Sequence, residues 1–163
     1  MSEGLFIPEN LDVFLFGGSG KVGSLFKERL VKDEVPLFAP SQELIDLHHA
    51  EYVKMLIEST SPKFIINCAS YSGENEELIS HTNTLIPFTL SQICFDLDIP
   101  WMHILRSHPS DSSLAKASEE ALRIIRNSET RCYICKASSV SEQFIDECLN
   151  LKNTNAEYKF YEF

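Results

Sequence analysis

The sequence has no basic excess. Its 163 residues carry 14 Lys and Arg against 24 Asp and Glu, a formal net charge of −10. A protein that grips nucleic-acid backbones needs clustered Lys and Arg, so that class is excluded. A nucleotide cofactor is not excluded, because backbone amides can hold its phosphates. No apolar run has the length and purity of a membrane span, and the N-terminus lacks the basic-then-apolar pattern of a secretory signal. These absences predict a cytoplasmic protein with no membrane partner. Linkers, low-complexity tracts and internal repeats are also missing, as expected of one domain, residues 1–163, built on one core. Cysteine is sparse, at five. Cys132 and Cys135 spell C-x-x-C, but no second pair or histidine cluster accompanies them. In a strand, positions three apart face opposite sides, so they read as buried cysteines and not as a redox or zinc pair. The adjacent His48 and His49 diverge on either a helix or a strand, and no metal is expected there.

Glycine is scarce as well, at six residues, and its placement is informative. Gly17, Gly18, Gly20 and Gly23 fall together, after the apolar run Val13-Phe14-Leu15-Phe16 and before a helix-like stretch over 22–31. A strand that turns through glycines into a helix leaves backbone N–H groups pointing out at the helix N-terminus, where the helix dipole favours a diphosphate. Gly17 permits the turn, Gly20 lets the diphosphate approach, and Gly23 lets the helix pack on the sheet. A glycine turn that binds nothing is the alternative.

Beyond this unit, strand and helix signals alternate. Short apolar runs over 35–38, 63–69, 101–105, 131–137 and 158–163 read as strands. Helical spacing covers 50–59 (ended by Pro62), most of 74–94, the amphipathic 113–127, and 142–151. The alternation predicts an α/β doubly wound parallel sheet in three layers, with ligands at the carboxyl ends of its strands.

Several segments resemble the extended short-chain dehydrogenase/reductases, closest to their dTDP-4-dehydrorhamnose reductase-like (sugar-nucleotide reductase) branch. Residues 17–23 look like its G-x-x-G-x-V-G, and 43–47 (Glu-Leu-Ile-Asp-Leu) like its E-L-D-L with one residue extra. Residues 61–72 are similar to R-P-D-V-V-I-N-A-A-A-Y-T, and Asn83 with Leu90 to N-x-x-x-x-x-x-L. His103-Ile104, the 116–120 stretch and Ala137-Ser138-Ser139-Val140 match parts of the later strands and helix.

The resemblance implies a Rossmann fold with NAD or NADP across the strand ends. Gly17, Gly20, Lys21, Val22 and Gly23 would seat the diphosphate, and Asp46 and Leu47 would border the adenine. Ala69, Ser70 and Tyr71 would line the nicotinamide-side ribose and phosphate, and Asn83 would be a further cofactor-binding residue. Alternatives stay open: a helix cap for Asp46, a packing aromatic for Tyr71, a strand-end amide satisfied by backbone for Asn67. The stretch 39–42 (Ala-Pro-Ser-Gln) holds neither the basic residue of NADP users nor the acid of NAD users, a slight lean to NAD.

Three departures stand beside the likeness. The family's chemistry needs a tyrosine four residues before a lysine. Lys116 matches the lysine, but Ser112 stands at the tyrosine's place, and a serine hydroxyl neither ionises nor reaches like a phenol. The loop that opens S-T-D-Y in relatives is abbreviated to 105–111, with Ser107 near the missing hydroxyl; a triad of His108 and Asp111 with Ser107 or Ser110 is disfavoured on so short a loop. Relatives also continue into a smaller domain that grips the sugar nucleotide, which is expected to be absent here. The expectation is therefore a dinucleotide-binding module of carbohydrate biosynthesis without ordinary reductase catalysis. A small NAD(P)-dependent oxidoreductase or epimerase on a nucleotide sugar, completed by a second copy or partner chain, is one alternative; a ligand-free interaction domain is the other. Assembly into a homo-oligomer is expected, because a doubly wound sheet without its usual second domain exposes apolar surface.

Overall fold

Strands apolar at every position can only be buried on both faces, and the core has that form. In the computed structural model, which describes residues 11–40, 49–109 and 111–163, β1 (Val13–Phe16) and β3 (Phe64–Asn67) are buried throughout. With β2 (Leu37–Phe38), β4 (Trp101–Arg106), β5 (Cys132–Ala137) and β6 (Phe160–Glu162) they form one sheet in the order β2-β1-β3-β4-β5-β6. Every pairing is parallel. The chain moves outward in one direction from β1 to β2 and in the other from β3 to β6, so the winding reverses between β1 and β3. That switch point is where an open α/β sheet leaves a crevice.

The alternation of side chains along each strand divides the core in two. Phe14, Phe16, Ile65, Trp101 and Ile134 face α2 (Ala50–Thr60), α4 (Ile86–Asp96) and α5 (Ser113–Arg126). Val13, Leu15, Ile66, Met102 and Tyr133 face α1 (Lys21–Lys32) and α6 (Glu142–Asn153). Cys132 lies in the first cluster and Cys135 in the second, so the C-x-x-C side chains are divided by the sheet. All five cysteines are free thiols. No helix among the described residues is long and apolar enough to cross a membrane.

Several boundaries differ from the sequence expectation. β2 is two residues long and starts at Leu37 instead of residue 35, because Val35 completes the stop of α1: its N–H bonds Leu30 O at 3.0 Å. The residue before it, Glu34, is left-handed at φ 56°. The same stop recurs after α4, with Asp98 left-handed and Ile99 N on Cys94 O, and after α6, with Asn155 left-handed and Ala156 N on Leu151 O. Each is a paired-bond C-terminal motif closed by an apolar contact, made here without glycine. The helical stretch 74–94 is not uniform: α3 (Glu76–Ser80) passes through a π-helical turn (His81–Leu85) into α4. Pro87 follows closely on that turn, so the change of helical pitch coincides with the residue that has no N–H to donate.

Candidate functional site

The carboxyl ends of β1, β3 and β4 and the N-terminus of α1 meet at the switch point. Gly17 leaves β1 with φ +76°, a left-handed conformation that favours glycine. A Cβ there would stand 2.4 Å from Ala69 N, so the turn presses directly on the segment after β3. A Cβ on Gly23 would come within 1.9 Å of Gly17 O. Gly23 therefore lets α1 pack on the glycine turn itself and not, as the sequence suggested, on the sheet. Gly20 differs from both, since a Cβ there meets only Gly17 O at an ordinary 3.5 Å. Packing does not demand glycine at position 20.

Gly20 caps α1 without a side chain, and no acidic residue occupies the first turn. Among the described residues no side-chain oxygen therefore caps the N-terminal N–H groups, and no carboxylate of the first turn offsets the helix dipole. Lys21 is exposed at the first helical position, whereas Val22 is buried and reaches into the cleft. Ala69 and Ser70 line the same cleft from the end of β3. Of the sequence-predicted residues, Val22, Ala69, Ser70 and Asn83 thus share one cleft, with Gly17 packed behind Ala69. Asp46 and Leu47, with His48 and Ser110, lie outside the described residues.

Asn83, buried in the π-helical turn, accepts from Tyr71 N and donates to Tyr71 O, both at 2.9 Å. One acceptor site and one donor of its amide are thus engaged, which fixes the loop after β3. The Tyr71 ring folds back over Gly73, where a Cβ would meet the phenol oxygen at 2.3 Å, and its hydroxyl accepts from Asn75 N at 3.4 Å. This is the packing alternative for Tyr71.

The residues carried over for proton transfer are not assembled. Ser112 is the N-cap of α5: its Oγ accepts from Ala115 N at 3.1 Å and donates to Pro109 O at 2.7 Å. Lys116 shares the outward stripe of α5 with Glu120 and Arg123, all exposed. The face of α5 turned to the strand ends carries Ala115, Ser118, Glu119 and Leu122, about a quarter turn away. Among the described residues no hydrogen bond joins His108 to Ser107 or Asp111.

Sequence reasoning missed what the cleft does contain. His103 and Arg106 of β4, His108 beyond it, and Ser118 of α5 line it together. His103 is 3% exposed; its Nδ1 lies 3.1 Å from Asn67 Nδ2, and Asn67 Oδ1 accepts from Ala69 N at 3.1 Å. Its other nitrogen, Nε2, is buried with no hydrogen-bond partner. Burial brings the His103 pKa down to about 4, so the ring is neutral. His108 is shifted down as well, by burial first and by the positive charge of Arg106 second. The signal in the sequence was the pairing of Asn67 with His103 at the same level of adjacent strands, which needs the register to be seen.

Fold and site together define a Rossmann-like α/β protein with a cleft at its switch point. The family model described as the RmlD substrate binding domain matches residues 11–105, more than half of the chain, and the chain belongs to that family. Among curated proteins it is similar to the probable low-salt glycan biosynthesis reductase Agl14 of Haloferax volcanii, 25% identical over 122 residues that cover 66% of this chain and 41% of that protein. The solved dTDP-4-dehydrorhamnose reductase of Bacillus anthracis, in complex with NADP, superposes with a TM-score of 0.70 at 14% identity, over 80% of this chain and 54% of the other. The enzyme WbmH of Bordetella bronchiseptica, in complex with NAD+, gives 0.79 at 12% identity, over 94% of this chain and 75% of that one. This chain therefore spans about two-fifths of the curated relative and just over half of that reductase.

Proposed function

We propose that this chain seats a nicotinamide dinucleotide at the switch point and does not carry out tyrosine-dependent reduction there. One observation carries the reading. Gly17 and Gly23 are glycine because backbone atoms occupy their Cβ positions, yet Gly20, at the mouth of the uncapped α1, has room for a side chain and lacks one. A diphosphate lying on the N–H groups of α1 explains that vacancy. Val22, Ala69 and Ser70 would border it toward the nicotinamide, and Tyr71, clamped by Asn83, would shape the wall behind. Asp46 and Leu47 would border the adenine. NAD is favoured over NADP, since Ala39 and Pro40 after β2 offer no cation for a 2′-phosphate.

Ser112 as a helix cap and Lys116 on the outer stripe of α5 support the non-catalytic reading. The reductases among the relatives support a place in carbohydrate biosynthesis, with a nucleotide sugar as second ligand. The protein is proposed to be cytoplasmic, one domain, and self-associating through the π-helical turn and α4, where Leu85, Phe88 and Phe95 are exposed. Thermal unfolding tests the central reading. NAD at 100 times its dissociation constant raises stability by about 2.7 kcal/mol, and no shift with either NAD or NADP would overturn it. Cofactor-dependent reduction of a 4-keto nucleotide sugar by the pure protein would overturn the non-catalytic part.

A further inference from the structure

The cleft beyond Ala69 has more donors than acceptors. Arg106 closes β4 with its guanidinium exposed, and among the described residues no carboxylate lies within ion-pair distance of it. His108 and Ser118 line the cleft beside it, and no Asp or Glu among the described residues does. His103 adds a buried donor. Ala69 N–H orients the Asn67 amide so that its Nδ2 faces His103 Nδ1. Nδ1 then accepts, and the hydrogen of the neutral ring sits on Nε2, the atom without a partner. A buried N–H left unbonded is costly, so an acceptor belongs there.

The dimensions limit what that acceptor is. The cleft holds about 30 Å³, room for about one or two water-sized groups. It opens past Arg106, His108 and Ser118 into a groove of about 200 Å³ floored by Leu122 and Phe160. Glu119 and Lys136 flank this outer groove, with Lys136 paired to Glu162 at 3.7 Å. From this geometry we infer that the cleft is a carboxylate-binding site, with one carboxylate oxygen on His103 Nε2–H, the other on the Arg106 guanidinium, and the apolar body of the acid on Leu122 and Phe160. A planar carboxylate presents two oxygens side by side, one for the buried imidazole N–H and one for the guanidinium fork. This site shares the cleft with the nicotinamide end of the proposed dinucleotide, but it is read from His103, Arg106 and the groove beside them and does not rest on that reading.

The test follows the imidazole nitrogen resonances of His103 in the full chain during titration with sodium benzoate, at ionic strength held with sodium chloride. Benzoate is expected to shift the His103 Nε2 signal saturably, and Arg106→Met, a change at an exposed side chain, to weaken binding at least 10-fold. Inorganic phosphate is the control arm and is expected to bind more weakly. An unmoved His103 signal, unchanged benzoate affinity in Arg106→Met, or tighter binding of phosphate would overturn the inference. Stabilisation by NAD is measured on the same two proteins. A benzoate response without an NAD response defeats the dinucleotide reading alone, and the reverse defeats the carboxylate site alone.

Discussion

The side-chain amide of Asn67 donates to His103 Nδ1 across 3.1 Å, and its oxygen accepts from the backbone N–H of Ala69 at 3.1 Å. One amide therefore ties the loop after β3 to the buried histidine and decides which ring nitrogen carries hydrogen. Asn67→Asp keeps the shape and the bond from Ala69 but turns an acceptor toward Nδ1. The hydrogen is expected to move to Nδ1, leaving Nε2 as an acceptor, and the nitrogen chemical shifts of His103 report the exchange directly. Burying the carboxylate is expected to cost about 1–3 kcal/mol in urea unfolding at neutral pH. An unchanged tautomer would contradict the assigned bond.

The same burial predicts a pH dependence. His103 titrates at about 4 in the folded protein against an ordinary 6.5, because burial strips water from the imidazolium. Its folded value is depressed, so between pH 6.5 and 4 the unfolded chain takes up a proton that the folded chain refuses. Stability from the neutral ring is complete above pH 6.5 and is lost as pH falls toward 4, by about 3 kcal/mol in all. His103→Gln removes that proton. Wild type is expected to be the more stable at pH 8, and the gap to narrow by about 2–3 kcal/mol at pH 4.5 in urea unfolding. A gap independent of pH would show that His103 titrates normally.

The order of strands and helices was legible in the sequence because burial on both sheet faces leaves apolar runs such as Phe64-Ile65-Ile66, and helix faces such as Leu122 and Ile125 keep their period. The glycine turn was legible for the same local reason. The ends of α1, α4 and α6 were not, since Glu34, Asp98 and Asn155 adopt the left-handed conformation that a reader expects of glycine. The cleft was half legible. Val22, Ala69 and Ser70 follow from the motifs, but His103 and Arg106 read as parts of a strand until the register sets Asn67 beside His103. The exposed setting of Lys116 was not legible, because spacing on a helix says nothing about which way its stripe faces.

Ser112 and Lys116 separate capping from chemistry. Ser112→Ala removes the oxygen that accepts from Ala115 N–H and is expected to cost about 1 kcal/mol of stability, with NAD affinity unchanged within a factor of two. Lys116→Ala changes an exposed residue and is expected to leave stability within about 0.5 kcal/mol and NAD affinity untouched. Calorimetry and isothermal titration measure both. A large loss of affinity in Lys116→Ala would return that lysine to the site.

The glycines give the sharpest discrimination between fold and binding. In Gly23→Ala the new Cβ would be placed 1.9 Å from Gly17 O. The Gly17 backbone cannot yield, because it is itself packed against the backbone of Ala69. The helix must shift, and a loss of about 3 kcal/mol or more is expected, with unfolding at markedly lower temperature. In Gly20→Ala the Cβ stands 3.5 Å from its nearest neighbour, and the expected cost is under about 1 kcal/mol, that of a poorer helix cap. The added methyl nonetheless occupies the approach to the first N–H groups of α1. Affinity for NAD is then expected to fall by at least 10-fold in a protein that melts almost as wild type does. Were Gly20→Ala to bind NAD normally, the open mouth of α1 would have no part in holding the diphosphate, and the space at position 20 would need another explanation.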